Sequence, residues 1–334
     1  MFLGGGVSDG RSGYEVGILE DELSKMILEG VLAELKIIPA TARLASAVVT
    51  LNSSKINFHT RDAAIRFEEA EHKYILDPGT PMERVFPISV SGLWGQYFEK
   101  FDPLAVTSKY FSKWAENPES NYYGMISYYR RAGEGDVEIA QRIRDGWSEK
   151  GLIASAEGTR MHRNIELALG GLMYDGSSKE MGMFNNFVKE WLEPRGWCVY
   201  RLEWSIYCST AMVAGQIDAL FVGNGAYHMV DWKRCGKLLD VFAGAAFARY
   251  GLYPFQDCLD NACNHYFLQQ NLYAVILERC YEIRLASMWL CQIHPCYESY
   301  RVVQVPDMRN RAGWILDMYA RSPSICMPWQ SAAV

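Results

Sequence analysis

Two aspartates and a lysine lie in the segment AGQIDALFVGNGAYHMVDWKR, residues 214–234, where two apolar runs flank a glycine-rich turn. Asp218 belongs to the first run, and Asp231 and Lys233 belong to the second. The GNG turn predicts a β-hairpin, so we expect the two carboxylates to lie near each other on paired strands. Neighbouring carboxylates repel each other and lose hydration when they are buried. A divalent cation removes that conflict, and oxygen ligands suit Mg²⁺ or Mn²⁺.

Lys233 follows Asp231 at a spacing of two, which places both side chains on one face of a strand and directs Trp232 towards the other face. A lysine beside a metal site can orient or help to deprotonate a water molecule, or balance charge on a phosphate. The alternative interpretation is an ordinary ion pair on an exposed edge strand, which contributes about 0–1 kcal/mol to stability. The apolar neighbours of Asp231 favour a buried position and therefore the first interpretation.

Two predicted helices carry polar pairs at a spacing of four residues, which places each pair on one helix face. His162 and Glu166 offer an imidazole nitrogen and a carboxylate. Gln269 and Tyr273 offer an amide and a phenol, which can bind phosphate oxygens or orient Lys233. Taken alone, the histidine is typical of a core or capping residue and the second pair is typical of a helix surface.

Four motifs occur in the order GxxxH, AGxxD, DxK and QxxxY, and they end at His162, Asp218, Lys233 and Tyr273. This order resembles that of the PD-(D/E)XK nucleases. More narrowly, it resembles their RecB-like exonuclease branch, which includes the CRISPR-associated adaptation nucleases and the mitochondrial genome maintenance exonuclease. The resemblance covers residues 150–305. Each motif alone is weak evidence, whereas four motifs in this order on the expected helices and strands are specific.

The resemblance implies a role for each motif residue. Binding of Mg²⁺ or Mn²⁺ is assigned to His162, Asp218, Asp231 and the backbone carbonyl of Trp232. Catalysis is assigned to Asp218, Asp231 and Lys233, with Glu203 as an additional acid. Contacts to the substrate strand are assigned to Gln269 and Tyr273. Glu166 is not part of the motifs; the helix face that it shares with His162 makes it a further candidate acid near the metal and the substrate.

The hydrophobic periodicity predicts an α/β (α+β) fold with a central mixed β-sheet flanked by helices. Strands are predicted at residues 198–207, 213–222, 226–233, 283–292 and 299–305, after a strand pair within residues 64–88. Helices are predicted at residues 89–101, 154–169, 181–192, 265–280 and 308–320, and residues 103–150 are predicted to be mostly helical. The resemblance implies that the sheet belongs to a restriction-endonuclease-like core.

Four regions are predicted along the chain. Residues 1–60 are predicted to form a partly disordered, mostly helical N-terminal extension, and residues 61–150 a β-hairpin with a helical lead-in region. Residues 151–322 are predicted to form the nuclease core, and residues 323–334 a tail. The extension contains one predicted helix, Tyr14–Ile38, which is a candidate docking site for a protein partner.

The composition favours an intracellular protein in a reducing compartment. Nine cysteines are scattered along the chain and none precedes Cys198, which favours free thiols. Members of the nuclease branch that hold an iron–sulfur cluster have a cysteine upstream of the core, so no cluster is expected in this chain. No apolar run reaches the roughly 18 residues of a membrane span, and the first residues resemble neither a secretory signal nor a transit peptide. The net charge of −6 is compatible with a local basic groove.

The sequence therefore predicts a metal-dependent DNA nuclease that hydrolyses phosphodiester bonds. The resemblance favours an exonuclease that acts on DNA ends or single strands in repair, recombination or replication. Two alternatives stay open: a catalytically inactive nucleic-acid-binding protein with the same fold, and an assembly subunit that docks through Tyr14–Ile38. The segment NYYGMISYYRR, residues 121–131, could stack unpaired bases, but burial of its tyrosines against a core is the favoured interpretation.

Overall fold

The computed structural model describes residues 57–69, 71–243 and 249–322. The predicted helix Tyr14–Ile38, most of the predicted N-terminal extension and the predicted tail lie outside the described residues. Within the described part of the chain, no helix combines the length and the apolar character that crossing a membrane requires.

The described chain contains nine strands and seven α-helices. The strands are β1 Ile65–Glu68, β2 Lys73–Leu76, β3 Arg84–Val85, β4 Ile88–Ser89, β5 Cys198–Cys208, β6 Val213–Gly223, β7 Ala226–Lys233, β8 Leu285–Gln292 and β9 Arg301–Gln304. The helices are α1 Val90–Gly95, α2 Pro103–Glu116, α3 Tyr123–Arg131, α4 Asp136–Leu169, α5 Lys179–Phe187, α6 Ala262–Cys280 and α7 Arg309–Arg321. A π-helical turn, Val188–Leu192, and 3₁₀ turns at Thr60–Ala64 and Glu193–Arg195 complete the regular structure.

The strands form two sheets, of which the larger one is mixed. Strands β1, β2 and β3 make a small antiparallel sheet. In the large sheet, β5, β6 and β7 form an antiparallel meander, and β8 lies parallel to β7 after the crossover through α6. Strand β9 is antiparallel to β8, and the short β4 is parallel to the start of β6. The predicted α+β class with a mixed sheet is therefore confirmed.

Helices cover both faces of the large sheet. Helices α1, α6 and α7 pack on one face, together with Leu220, Met229 and Leu290. The C-terminal half of α4 and helix α5 pack on the other face, together with Phe221 and Trp232. Trp232 is 1% exposed, so its side chain points into the second core as the alternation predicts.

The pairing of β6 with β7 ends before either strand does. It runs from the Gly223–Ala226 pair to the Ala219–Val230 pair. Beyond this point the Asp218 carboxylate accepts a hydrogen bond from the Trp232 N–H at 2.9 Å, in place of a further backbone bond. Residues 215–218 consequently have no strand partner on that edge within the described chain. We call this separation of β6 from β7 the fork.

A second, smaller cluster of helices precedes the sheet. Helices α2, α3 and the N-terminal half of α4 bury a small core that includes Phe111, Ile126 and Ile139. The indole N–H of Trp147 donates to the Tyr122 hydroxyl at 2.7 Å, so this tyrosine packs inside the cluster, as favoured from the sequence. Tyr128, in contrast, is 63% exposed.

Most strands and helices lie where the sequence predicts them. Two helices differ. Helix α1 ends at Gly95 rather than at residue 101, and the Tyr97 carbonyl beyond it accepts a hydrogen bond from the Leu252 N–H at 2.8 Å. Helix α4 begins at Asp136 rather than at residue 154. Two glycines before residue 154 lower the helix propensity of this segment. Burial of Ile139 stabilises the helix there in spite of the low propensity. The predicted domain boundary at residues 150/151 falls inside α4.

Trp232 is a direct test of this packing. Its ring lies 5.6 Å from Phe184 and 5.3 Å from Phe187 between ring centres. We expect Trp232→Ala to reduce the free energy of unfolding by about 3–5 kcal/mol, because it leaves a large cavity between the sheet and α5. Denaturant unfolding measures this change. Val137→Ala, at a side chain that is 76% exposed, is the control and should change it by less than about 0.5 kcal/mol. Similar small effects for both variants would contradict the packing.

Candidate active site

Three carboxylates form one row across the large sheet, beside the fork. The strand register places Glu203 of β5 opposite Asp218 of β6, and one step beyond the paired residues it places Asp218 opposite Asp231 of β7. Carboxylates in such positions repel each other, and the repulsion grows as the surroundings become less polar. Positive charge close to this row of carboxylates would therefore be strongly stabilising.

His162 reaches this row from α4. Its Nδ1 lies 3.4 Å from Asp218 Oδ2. One ligand atom each of His162, Glu203 and Asp218 lie within 4.8 Å of one another. Within the described chain this is the one group of three or more acidic, histidine or cysteine side chains close enough to share a metal ion. We call these three residues the ligand cluster.

Arg234 holds α4 against the end of β7. Its guanidinium contacts Glu157 of α4 at 2.5 Å and Glu180 of α5 at 2.9 Å. The arginine and Glu180 are both largely buried, at 10% and 8% side-chain exposure. A largely buried guanidinium that contacts one carboxylate on each of two helices fixes their positions relative to the strand. Arg234 therefore sets the position from which His162 approaches the sheet.

Glu203 has an unusual backbone for a strand residue. Its φ of +43° lies in the left-handed region, which costs a non-glycine residue on the order of 1–3 kcal/mol. The Gln216 amide donates to the Glu203 carbonyl at 3.2 Å and to its Oε2 at 2.9 Å. Burial, and then the charges of Asp218 and Glu166, raise the pKa of Glu203 well above its ordinary value. This carboxylate is held in place against both strain and repulsion.

Asp231 is buried at the centre of the sheet, with 2% of its surface exposed. Its Oδ1 accepts a hydrogen bond from Gln270 Nε2 at 2.8 Å, and its Oδ2 lies 2.6 Å from Lys233 Nζ. The Lys233 ammonium is therefore the partner of Oδ2, and the Gln270 amide is the partner of Oδ1. Burial and the Asp218 charge raise the pKa of Asp231 to about 6, against the opposing effect of Lys233.

Lys233 is a buried ammonium group at the same site. Burial alone would lower its pKa, but the Asp231 and Asp218 charges outweigh burial and raise it. Its Nζ donates to Gln269 Oε1 at 3.3 Å and lies 4.5 Å from the centre of the Tyr266 ring. The lysine is thus fixed by a carboxylate, an amide and an aromatic face.

Gly215 allows α6 to approach the sheet. A Cβ at this position would lie 2.5 Å from Cε1 of Tyr273 and 3.1 Å from Cγ2 of Val90. The Tyr273 ring therefore packs directly on the backbone of β6. Its hydroxyl accepts a hydrogen bond at 3.1 Å from the Gln269 amide, which in turn accepts one from Lys233. The QxxxY pair thus orients the lysine, one of the two roles considered from the sequence.

Gly158 does not play the comparable role. A Cβ at position 158 would have no neighbour within 4 Å. The open space beside it belongs to a groove.

The groove has a volume of about 1120 Å³ and runs between α4 and the β1–β2 hairpin. Its floor carries the ligand cluster together with Asp231 and Lys233. One side, the α4 wall, is formed by Ser155, Thr159, Arg160 and Arg163. Another side, the hairpin wall, is formed by Phe67, Glu69, His72 and Tyr74.

The structure brings the predicted site side chains together. All of them except Trp232 line the groove: His162, Glu166, Glu203, Asp218, Asp231, Lys233, Gln269 and Tyr273. Trp232 lies behind the site and contributes its backbone N–H to Asp218, while metal binding by its carbonyl stays a prediction. Glu166 accepts a hydrogen bond from Arg163 at 2.5 Å. The tyrosines of residues 121–131 do not line the groove.

Two site residues are absent from the sequence prediction. Gln216 anchors Glu203, and Gln270 is fully buried against Asp231. Gln270 could have been recognised as one of three consecutive polar residues inside the apolar helix LQQNLYAVIL. Asp231, predicted as a direct metal ligand, lies outside the ligand cluster, where Glu203 takes the place of the second acid.

The ligand cluster fits a divalent cation. Its donors are two carboxylates and one imidazole, a set that suits Mn²⁺ and also Mg²⁺. The raised pKa values of Glu203 and Asp231 report negative charge that is not fully compensated by the groups around them. A cation would supply the missing positive charge.

The comparisons with known proteins add little to this geometry. No protein-family model matches the chain, and no curated protein matches it. Among eleven matching chains of solved structures is one described as the crystal structure of SSO0001, with 13% identity and a TM-score of 0.22. The match covers 42% of this chain and 56% of that chain, so this chain spans little more than half of its length. A TM-score this low does not identify a fold.

The two glycines of the groove provide a matched pair of variants. We expect Gly215→Ala to reduce the free energy of unfolding by about 1–3 kcal/mol, because its Cβ would overlap the Tyr273 ring. Gly158→Ala should instead raise it by about 0.5–1 kcal/mol, since alanine favours a helix and meets no neighbour. Denaturant unfolding compares the two. The double variant Gly215→Ala with Tyr273→Ala should lose less free energy of unfolding than the sum of the losses in the two single variants. Strictly additive losses would contradict the contact between position 215 and the Tyr273 ring.

Metal binding should be visible as thermal stabilisation. A ligand at a hundredfold excess over its Kd stabilises the folded state by about 2.7 kcal/mol, so Mn²⁺ should raise the Tm by several degrees. Asp218→Asn should lose this increase, because it removes a charged ligand from the cluster. Asp317→Asn, which changes an exposed carboxylate on α7, is the control and should keep it. An undiminished increase in the Asp218 variant would exclude the proposed ligands.

Proposed function

We propose that this chain is a metal-dependent deoxyribonuclease with a restriction-endonuclease-like core of the PD-(D/E)XK type. The observation that carries the proposal is the convergence of the ligand cluster with the buried ion pair of Asp231 and Lys233 on the floor of one open groove. The order of a helix, three antiparallel strands, a helix and a parallel strand around this site supports the same conclusion.

His162, Glu203 and Asp218 would hold the cation. A bound divalent cation supplies positive charge to the phosphate and lowers the pKa of a water molecule. The carboxylates reach the site from a rigid sheet and the imidazole from a helix that Arg234 fixes. Because the side chains are preorganised, little free energy is lost in arranging them when the cation binds.

Lys233 acts in this proposal as a fixed positive charge. Its raised pKa means that the ammonium form persists at neutral pH, so it does not serve as the general base. It donates a hydrogen bond to Gln269 and lies beside Asp231, which leaves its charge close to the floor of the groove. There it would orient the attacking water and balance the negative charge that develops on a phosphate oxygen.

Asp231 then has a supporting role. It neutralises Lys233 within the sheet, while Gln270 restrains its second oxygen. In this proposal Asp231 lies outside the ligand cluster and contributes to catalysis by holding Lys233 in place. Exonuclease action on DNA ends or single strands, in repair, recombination or replication, belongs to the same proposal and derives from the motif resemblance.

Cleavage of labelled DNA tests the proposal. We expect the protein to release nucleotides from linear single-stranded or duplex DNA with Mg²⁺ or Mn²⁺ and not with EDTA. Lys233→Ala should lower kcat by about 100-fold or more, because one preorganised charge is lost, while the Mn²⁺-induced increase in Tm persists. Lys189→Ala, at an exposed lysine that does not line the groove, should cleave at the rate of the unmodified protein.

Three outcomes decide the matter. Parallel loss of cleavage in Lys233→Ala and Asp218→Asn, with folding intact, supports the nuclease. Full activity in either variant rejects the assigned site. Tight DNA binding with no cleavage under any metal condition would favour the inactive nucleic-acid-binding alternative. A circular substrate without ends separates exonuclease from endonuclease action.

A further inference from the structure

The hairpin wall carries an aromatic surface that the hydrolytic chemistry does not use. Phe67 of β1 pairs with Tyr74 of β2 in the register, and their ring centres lie 4.7 Å apart. His72 packs edge-on against Phe67 at 5.1 Å. Tyr74 is buried, Phe67 is half-buried and His72 is exposed, so the aromatic surface extends from the floor of the groove to its rim.

His72 is held in the left-handed backbone region, with a φ of +50°. Asparagine and aspartate tolerate this region better than most residues, and histidine is also enriched in it. The turn therefore does not require an aromatic ring at position 72. The ring nevertheless lies beside Phe67 and lines the groove, which enlarges the aromatic surface.

The two walls differ in chemistry. The α4 side carries Arg160 and Arg163 together with Glu166, which is paired with Arg163. On the α4 wall, Ser155, Thr159 and Arg163 follow each other at a spacing of four, so they share one helix face with hydroxyl and guanidinium donors. Such donors bind phosphate oxygens. The hairpin wall has no lysine or arginine among the described lining residues and carries Glu69 instead. A phosphate backbone would be repelled there, whereas a neutral base would not.

The geometry points to Phe67 and His72 as a base-stacking surface for an unpaired nucleotide of the DNA strand in the groove. This inference rests on the proposed function and adds to it a residue-level basis for substrate choice. The phosphates would face the α4 wall and the floor, and a base would lie against the hairpin wall. In a duplex the base faces are covered by their neighbours, so this contact selects unpaired segments.

Binding of two oligomers of equal length tests the inference. One is a fluorescent oligothymidine, and the other has the same phosphodiester backbone with abasic residues throughout. Stacking on aromatic side chains contributes about 1–3 kcal/mol per base, so the protein should bind the oligothymidine at least about fivefold more tightly. Fluorescence anisotropy in Ca²⁺ buffer measures both affinities, and gel analysis of the same samples checks that the oligomers are intact.

Two variants assign the preference to the hairpin wall. Phe67→Leu keeps an apolar contact but loses the aromatic face, and His72→Asn keeps a residue suited to the left-handed backbone. Each should lower oligothymidine affinity by about three- to thirtyfold and leave the abasic affinity unchanged, whereas Phe67→Trp should retain the preference. Val85→Ala, an exposed position on the same small sheet outside the groove, is the control.

The results separate this inference from the proposed function. If the protein cleaves DNA but binds both oligomers equally, the base-stacking surface is rejected and the nuclease stands. The surface is also rejected if Phe67→Leu and His72→Asn weaken both oligomers equally while their Tm matches that of the unmodified protein. If the base preference depends on these residues but no metal supports cleavage, the surface stands and the nuclease fails.

Discussion

Mutual repulsion among Glu203, Asp218 and Asp231 is the constraint around which the site is built. Three carboxylates in one row of a sheet destabilise the fold unless each charge is compensated, because burial weakens their hydration. The chain compensates one of them with Lys233 and restrains the others with amide and backbone donors. The raised pKa values of Glu203 and Asp231 indicate that compensation is incomplete. A site that keeps uncompensated negative charge in the folded protein is suited to bind a divalent cation.

The fold creates this constraint through a few local departures from regular structure. The fork removes β7 from the edge of β6, and the Asp218 carboxylate replaces a ladder hydrogen bond. Glu203 adopts a left-handed backbone within β5, and Gly215 leaves space for the Tyr273 ring. Each departure costs stability, and strain of this kind is concentrated at functional sites in proteins. The large apolar cores on both faces of the sheet supply the stability that offsets it.

The sequence alone predicts the meander and most of the site, because alternation and the GNG turn determine register and face. The shared face of Asp231 and Lys233 and the inward direction of Trp232 follow from a period of two. The continuity of α4 across its glycines could not be read in this way, since tertiary burial overrides local propensity. The polar run within LQQNLYAVIL indicates that Gln270 is a buried amide, but its partner Asp231 lies on a distant strand and could not be predicted from the local pattern. The presence of Glu203 rather than Asp231 in the ligand cluster could not be predicted, because a sequence pattern does not give the distances between side-chain ligand atoms.

Anomalous diffraction from crystals of the protein soaked in Mn²⁺ would test the central claim most directly. The account predicts an anomalous peak bonded to His162, Glu203 and Asp218, with Lys233 nearby and outside the coordination shell. A peak that is bound only by carboxylates outside the groove would contradict it. So would a fully soaked crystal with no peak among these three side chains, because their repulsion would then be balanced without a cation.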